Sequence, residues 1–344
     1  MRNVLRLALA SVAVLGGVLL ARWLRARYDA MARVPEELRH PMLLAPFVVS
    51  APLVRLLRHL PAPSVPVVPG TTVQRRTVPA HADQPPVDVL LYEPEHRRRP
   101  SGALLWIHGG GFVIGDPASY NALCSRFARD LGVVVVSVDY RLAPEDPFPA
   151  GLEDCWWALR WLHENAVDLG VDPARVEVGG DSAGGGLAAC LAQLAQDRSQ
   201  GLVAFQLLVY PMLDDRTVLR VDHAGTGGLV WTPTSNRFGW TAYLGHAPSE
   251  AEERPYAAAA RRSDLAGLPP AWIGVGDLDL FHAEDLDYAA RLSASGVPCE
   301  TYVEPGMYHG ADSLMERRSA LARGFRDRMV EALRPHVGTV PSAP

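Results

Sequence analysis

The sequence predicts an α/β chain: a mostly parallel sheet flanked by helices, with a helical cap over one edge. Three observations predict it. Short apolar runs alternate with helix-length amphipathic stretches beyond the Pro-rich boundary Pro61–Gly70. One interval, residues 213–255, breaks that alternation with aromatic-rich sequence and no clear strand. And one serine stands among glycines, in RVEVGGDSAGGGLAAC, where an apolar run gives way to an Ala-rich helical one.

The 344 residues suit one large α/β domain with an insertion. Hydrophobic residues at 48% and charged residues at 21% describe a globular chain with a large core. A net charge of −5 argues against nucleic acid as a partner, since phosphate binding needs a basic face. Cys124, Cys155, Cys190 and Cys299 share no C-x-x-C spacing, so they read as small buried hydrophobes rather than a zinc or redox site. No metal or cofactor is implied.

Residues 1–70 read as an N-terminal apolar helix and cap helices. The uncharged stretch Leu7–Ala21 falls short of the ~18–20 residues that span a bilayer comfortably. Three readings stay open. One is membrane association, with Arg22, Arg25 and Arg27 keeping residues 22 onward on the cytoplasmic side. The others are a helix packed on the domain, and a signal cleaved near Ala30-Met31-Ala32. Residues 36–60 carry a further helical pattern of Leu43, Leu44, Phe47, Val48, Leu53, Leu56 and Leu57.

The core is expected over 71–212 and 256–335, with 213–255 as the cap insertion. Strands are expected at Val87–Tyr92, Ala103–Ile107, Val133–Val138, Val176–Val178, Phe205–Val209, Ala271–Val275 and Thr301–Val303. Helices are expected at Tyr120–Leu131, Gly151–Leu169, Ser182–Gln196 and Ala283–Ala294, the last stopped by Gly296. Trp231, Phe238, Trp240 and Tyr243 mark the insertion as a lid over the edge where open α/β sheets bind ligands.

Gly180-Asp-Ser-Ala-Gly184 is a G-x-S-x-G pattern between a strand and a helix, the context such a motif needs. The chain must turn within about two residues, so glycines flank Ser182 and hold its hydroxyl out at a helix N-terminus. A serine nucleophile needs donors for a developing oxyanion, and His108-Gly-Gly-Gly-Phe112 after a strand supplies free backbone N–H groups. Gly110, Gly111 and Ala183 are the expected oxyanion donors, with His108 bracing the loop. A base and its acid should come later in the chain, in the order Ser, Asp, His. His309, in Pro305-Gly-Met-Tyr-His-Gly310, is the base; Asp277 and Asp279 compete as the acid. His223, His246 and His282 read as surface or packing residues.

These motifs, with Asp139-Tyr-Arg-Leu-Ala-Pro-Glu145 and Phe148-Pro149, make residues 85–330 resemble the hormone-sensitive lipase family of α/β-hydrolases. The resemblance implies an α/β-hydrolase fold with a helical cap, a cofactor-free carboxylester hydrolase, and a triad of Ser182, His309 and Asp279. The family's acid motif, Asp-Pro-Leu-x-Asp-Glu, corresponds here to Asp279-Leu-Phe-His-Ala-Glu284. It selects Asp279 and keeps Glu284, while Leu280 and Ala283 depart from the pattern. The implied substrate is a short- to medium-chain ester or lipid. An amidase and a non-catalytic receptor on the same fold are the alternatives. The sequence leaves open whether the chain forms a homodimer.

Overall fold

The structure is a computed structural model and describes residues 16–18, 21–22, 24–45, 48–60, 65–81, 84–198 and 201–337. Its strands are β1 (Thr71–Val78), β2 (Val87–Pro94), β3 (Ser101–Ile107), β4 (Val134–Val138), β5 (Val171–Asp181), β6 (Gln206–Val209), β7 (Ala271–Gly276) and β8 (Cys299–Glu304). They form one sheet in the order β1-β2-β4-β3-β5-β6-β7-β8. β2 runs antiparallel to β1 and β4, and all other neighbours are parallel. The helices are α1 (Ala51–His59), α2 (Asn121–Leu131), α3 (Ala150–Glu164), α4 (Ala166–Leu169), α5 (Ala183–Arg198), α6 (Pro233–Leu244), α7 (His282–Ala294), α8 (Ala311–Met315) and α9 (Ala320–Val337).

β3 shows why the core strands read as unbroken apolar runs. Successive side chains point to opposite faces, and both faces are covered. Leu105 and Ile107 join the cluster that holds Leu187 and Leu191 of α5. Leu104 and Trp106 join the other, with Phe127 of α2 and Phe325 and Met329 of α9.

Where the sheet is not covered, the sequence signal fades. β1 reads TTVQRRTV and is exposed along most of its length, so no apolar run announces it. β5 starts earlier than Val176, because Val171 already pairs with Ser101 of β3. The pattern over 36–60 is not one helix. Two 3₁₀ turns, Glu36–Leu38 and Pro41–Leu44, precede α1, since Pro41 denies a continuous helix an N–H donor and crowds the turn before it. The stretch 151–169 divides at Asn165 into α3 and α4.

Between β6 and β7 lie a 3₁₀ turn, Asp215–Leu219, and α6. The fully buried Asp215 takes two hydrogen bonds from Arg261, closing the base of this insertion onto the chain beyond it. N-terminal residues reach the same region: Val49 donates its N–H to Ser235 Oγ at 2.9 Å. No helix among the described residues is long and apolar enough to cross a membrane. The stretch Leu7–Ala21 lies mostly outside the described residues. Cys124, Cys155 and Cys190 are buried, whereas Cys299 on the edge strand is half-buried; none is bonded to another.

One buried carboxyl gives a stability test. Glu177 of β5 is fully buried, and neither oxygen has a hydrogen-bond partner among the described residues. Burial pushes its pKa up to about 9. The unfolded chain releases this proton above the ordinary carboxylate range, so stability falls as pH rises toward about 9. Glu177→Gln is expected to gain urea resistance over the parent as pH rises, most at alkaline pH. Urea midpoints across a pH series check it.

Candidate active site

The corner after β5 is built by close backbone approach. A Cβ on Gly184 would sit 2.0 Å from the Ile107 carbonyl oxygen and 2.5 Å from that of His108. One on Gly180 would meet Gly184 backbone and the Ile107 carbonyl oxygen at 2.5 Å. Side chains at either position would push the corner off the end of β3. Between them Ser182 adopts φ +54°, a left-handed conformation costing about 1–3 kcal/mol. Its N–H donates to Val209 O of β6 at 2.9 Å, and its carbonyl accepts from Met212 and Gly186. The strain is thus held in place from the neighbouring strand.

Ser182, His309 and Asp279 come together although they lie far apart in the chain. His309 Nε2 is 2.9 Å from Ser182 Oγ, and His309 Nδ1 is 2.7 Å from Asp279 Oδ2. Asp279 is fully buried, and its other oxygen accepts the Phe281 N–H at 3.0 Å. An acceptor so placed puts the imidazole proton on Nδ1 and leaves Nε2 free to accept from the serine hydroxyl. Asp277 goes elsewhere: its Oδ1 accepts the Gly306 N–H at 2.7 Å and fixes the turn leading to His309. His223 and His282 are half-buried and His246 is exposed; no hydrogen bond joins them to this chain of groups.

The loop after β3 turns on glycines. Gly110 has φ +125°, with no room for a Cβ beside the Ile114 carbonyl, and Gly111 has φ +61°. Val113 and Ile114 donate to Gly110 O. The N–H groups of Gly110 and Gly111 make no hydrogen bond among the described residues. Ala183, the first residue of α5, has an N–H with no partner within its helix. His108 is fully buried, its Nδ1 2.8 Å from Gly109 O and its ring stacked 4.3 Å from Tyr140. Burial pushes its pKa down to about 4, so a neutral ring braces the loop.

The sequence reading missed the tie between this loop and the serine corner. Asp181 Oδ1 accepts the Gly109 N–H at 2.9 Å, and its Oδ2 accepts the Tyr120 hydroxyl at 2.9 Å. Burial pushes the Asp181 carboxyl up to about 6, against the hydrogen bond from Tyr120. Trp231, expected as one of four lid aromatics, forms the roof of this site. Trp231 packs so closely on Gly111 that a Cβ there would be 2.2 Å from the indole. Its ring lies 6.1 Å from that of His309, and its N–H donates to Asn236 Oδ1. Val230 is held at φ +58° to present it. Glu284, two residues into the helix after Asp279, is buried beneath the insertion and accepts the Leu213 and Asp214 N–H groups. Only the motif in which Glu284 sits hinted at such a role.

Removing the tie should loosen the loop rather than the serine. Asp181→Ala is expected to lower kcat by about ten- to a hundred-fold with a smaller change in KM. Steady-state kinetics, with a thermal melt to confirm folding, check it.

Comparison with known proteins shows the family. Residues 104–313 match a family model described as the alpha/beta hydrolase fold. Carboxylesterase NlhH of Mycobacterium tuberculosis is 38% identical over 261 residues, covering 74% of this chain and 79% of that protein. Ethyl acetate hydrolase of Pseudomonas putida is 34% identical, over 78% and 81%. Among solved structures, a bacterial heroin esterase superposes with a TM-score of 0.79 at 34% identity, covering 90% of this chain and 99% of its own. The chain belongs to the α/β-hydrolase fold family, in its hormone-sensitive lipase-like branch, and is a carboxylic ester hydrolase.

Proposed function

We propose that the enzyme cleaves short- to medium-chain carboxylic esters, with Ser182 as nucleophile, His309 as base and Asp279 as the orienting acid. The observation that carries this is the unbroken hydrogen-bonded line from Asp279 through His309 to Ser182 Oγ. His309 Nε2 takes the hydroxyl proton as Ser182 Oγ bonds to the ester carbonyl carbon. The oxyanion so formed is held by the N–H groups of Gly110, Gly111 and Ala183, where the N-terminus of α5 also favours negative charge. His309 then protonates the leaving alcohol as the ester C–O bond breaks. Water attacks the acyl-enzyme, gives one proton to His309, and the acid departs as Ser182 regains its proton.

The aromatic surroundings support an apolar ester of limited size. Trp231, Phe281 and Tyr210 all stand beside the His309 ring, the last two edge-on at 5.3 and 4.8 Å. A relative named for hydrolysis of ethyl acetate fits the short end of the range. The N-terminal segment adds association with a lipid surface to this reading.

The test is hydrolysis of p-nitrophenyl esters of rising acyl length, beside a matched anilide series. The parent should cleave short and medium esters, and Ser182→Ala should be silent on all. Preference for anilides would make the enzyme an amidase. A folded parent inert to every ester would overturn the reading. Trp231→Ala, which removes the roof over Gly111, is expected to raise the ratio of long- to short-chain kcat/KM by about ten-fold. An unchanged ratio would place the size limit elsewhere.

A further inference from the structure

α1 is packed inside out. Its inner face is held by Val54, which is buried, and Arg58, whose guanidinium donates to the carbonyls of Val113 and Ala143. Leu56 and Leu60, four residues apart and therefore on one face, point to solvent at 59% and 54% exposure. Leu53 and Leu57 beside them are only half-buried. Leu44, 64% exposed, and Val48 are further exposed apolar side chains in the chain just before α1. Most of the exposed large apolar side chains among the described residues lie between residues 18 and 60. A helix that needed only to pack on the domain would turn this stripe inward.

The charge is as uneven as the hydrophobicity. Residues 1–60 hold nine arginines and three acidic side chains, in a chain whose net charge is −5. Arg22, Arg25 and Arg55 are exposed. Exposed cations on the same N-terminal region as an exposed apolar stripe, downstream of the apolar stretch Leu7–Ala21, match an anionic lipid surface better than they match water.

The same segment is tied to the active site. Arg27 and Arg33, one in and one just after the helical residues 24–32, donate to the carbonyls of Gly228 and Gly225. That loop runs directly into Val230 and the Trp231 roof. On the other side, Arg58 binds Val113, in the turn just past Gly110 and Gly111.

We propose that α1 and the described residues 24–45 before it form a docking surface for a bilayer containing anionic lipid, and that docking sets the roof of the active site beside the membrane. The substrate class then narrows to apolar esters taken up from the lipid phase, a step that rests on the ester-hydrolase reading above.

The full chain is floated with vesicles of phosphatidylcholine, with and without phosphatidylglycerol, and compared with Leu56→Glu/Leu60→Glu. The parent should float with the anionic vesicles and release as salt rises. The double variant should bind more weakly by on the order of ten-fold. Its hydrolysis of soluble p-nitrophenyl acetate should be unchanged, which shows that it is folded. A parent that stays at the bottom of the gradient overturns the proposal, as does a variant that floats equally well. A parent that fails to float but forms a dimer dissociated by the two substitutions makes the face a protein interface instead. Failure on soluble ester by the parent would strike the ester-hydrolase reading, not the docking surface.

Discussion

The site depends on how closely two backbones approach at the ends of β3 and β5. Gly180 and Gly184 leave no room for side chains against the carbonyls of Ile107 and His108. That approach forces the left-handed bend at Ser182, starts α5 at once, and brings the Gly110–Gly111 turn alongside. Asp181 converts proximity into a joint by binding the first N–H of the loop. The proposed nucleophile and oxyanion donors therefore belong to one unit, as a site that stabilises charge by fixed dipoles requires.

The other half of the site is organised by carboxylates with separate tasks. Asp279 faces His309, Asp277 pins the turn that carries His309, and Glu284 grips the start of the cap. All three occupy one short segment after β7. Burial pushes the Glu284 carboxyl up to about 8, against the hydrogen bonds it accepts from Thr217, Leu213 and Asp214. The cap in turn supplies Trp231, which closes over Gly111. Cap position and the geometry of the Gly110–Gly111 turn are thus mechanically linked.

Much of this was legible in the sequence, for identifiable reasons. Buried parallel strands must be apolar on both faces, and a strand-to-helix corner at a serine needs its glycines, so both leave local marks. Choosing Asp279 over Asp277 needed the family resemblance, because both aspartates come after the same strand. β1 was hidden by its polar, exposed residues. α9 was readable but passed over: Ala322, Phe325, Met329, Leu333 and Val337 keep helical spacing between its arginines. The roles of Asp181 and Arg58 had no local mark, since each acts on a segment at least 55 residues away in sequence; Trp231 was marked as a lid aromatic, but its contact with Gly111 was not. The outward stripe of α1 is a pattern the sequence contains, but only packing shows which face it turns to water.

The central claim is that Ser182 is the one hydroxyl activated by its surroundings. The most direct test is labelling with a fluorophosphonate, then peptide mass spectrometry, on the parent and on His309→Ala. One adduct on Ser182, formed rapidly in the parent and far more slowly without the imidazole, is the predicted result. Labelling at another residue, or labelling of Ser182 that does not depend on His309, would contradict it.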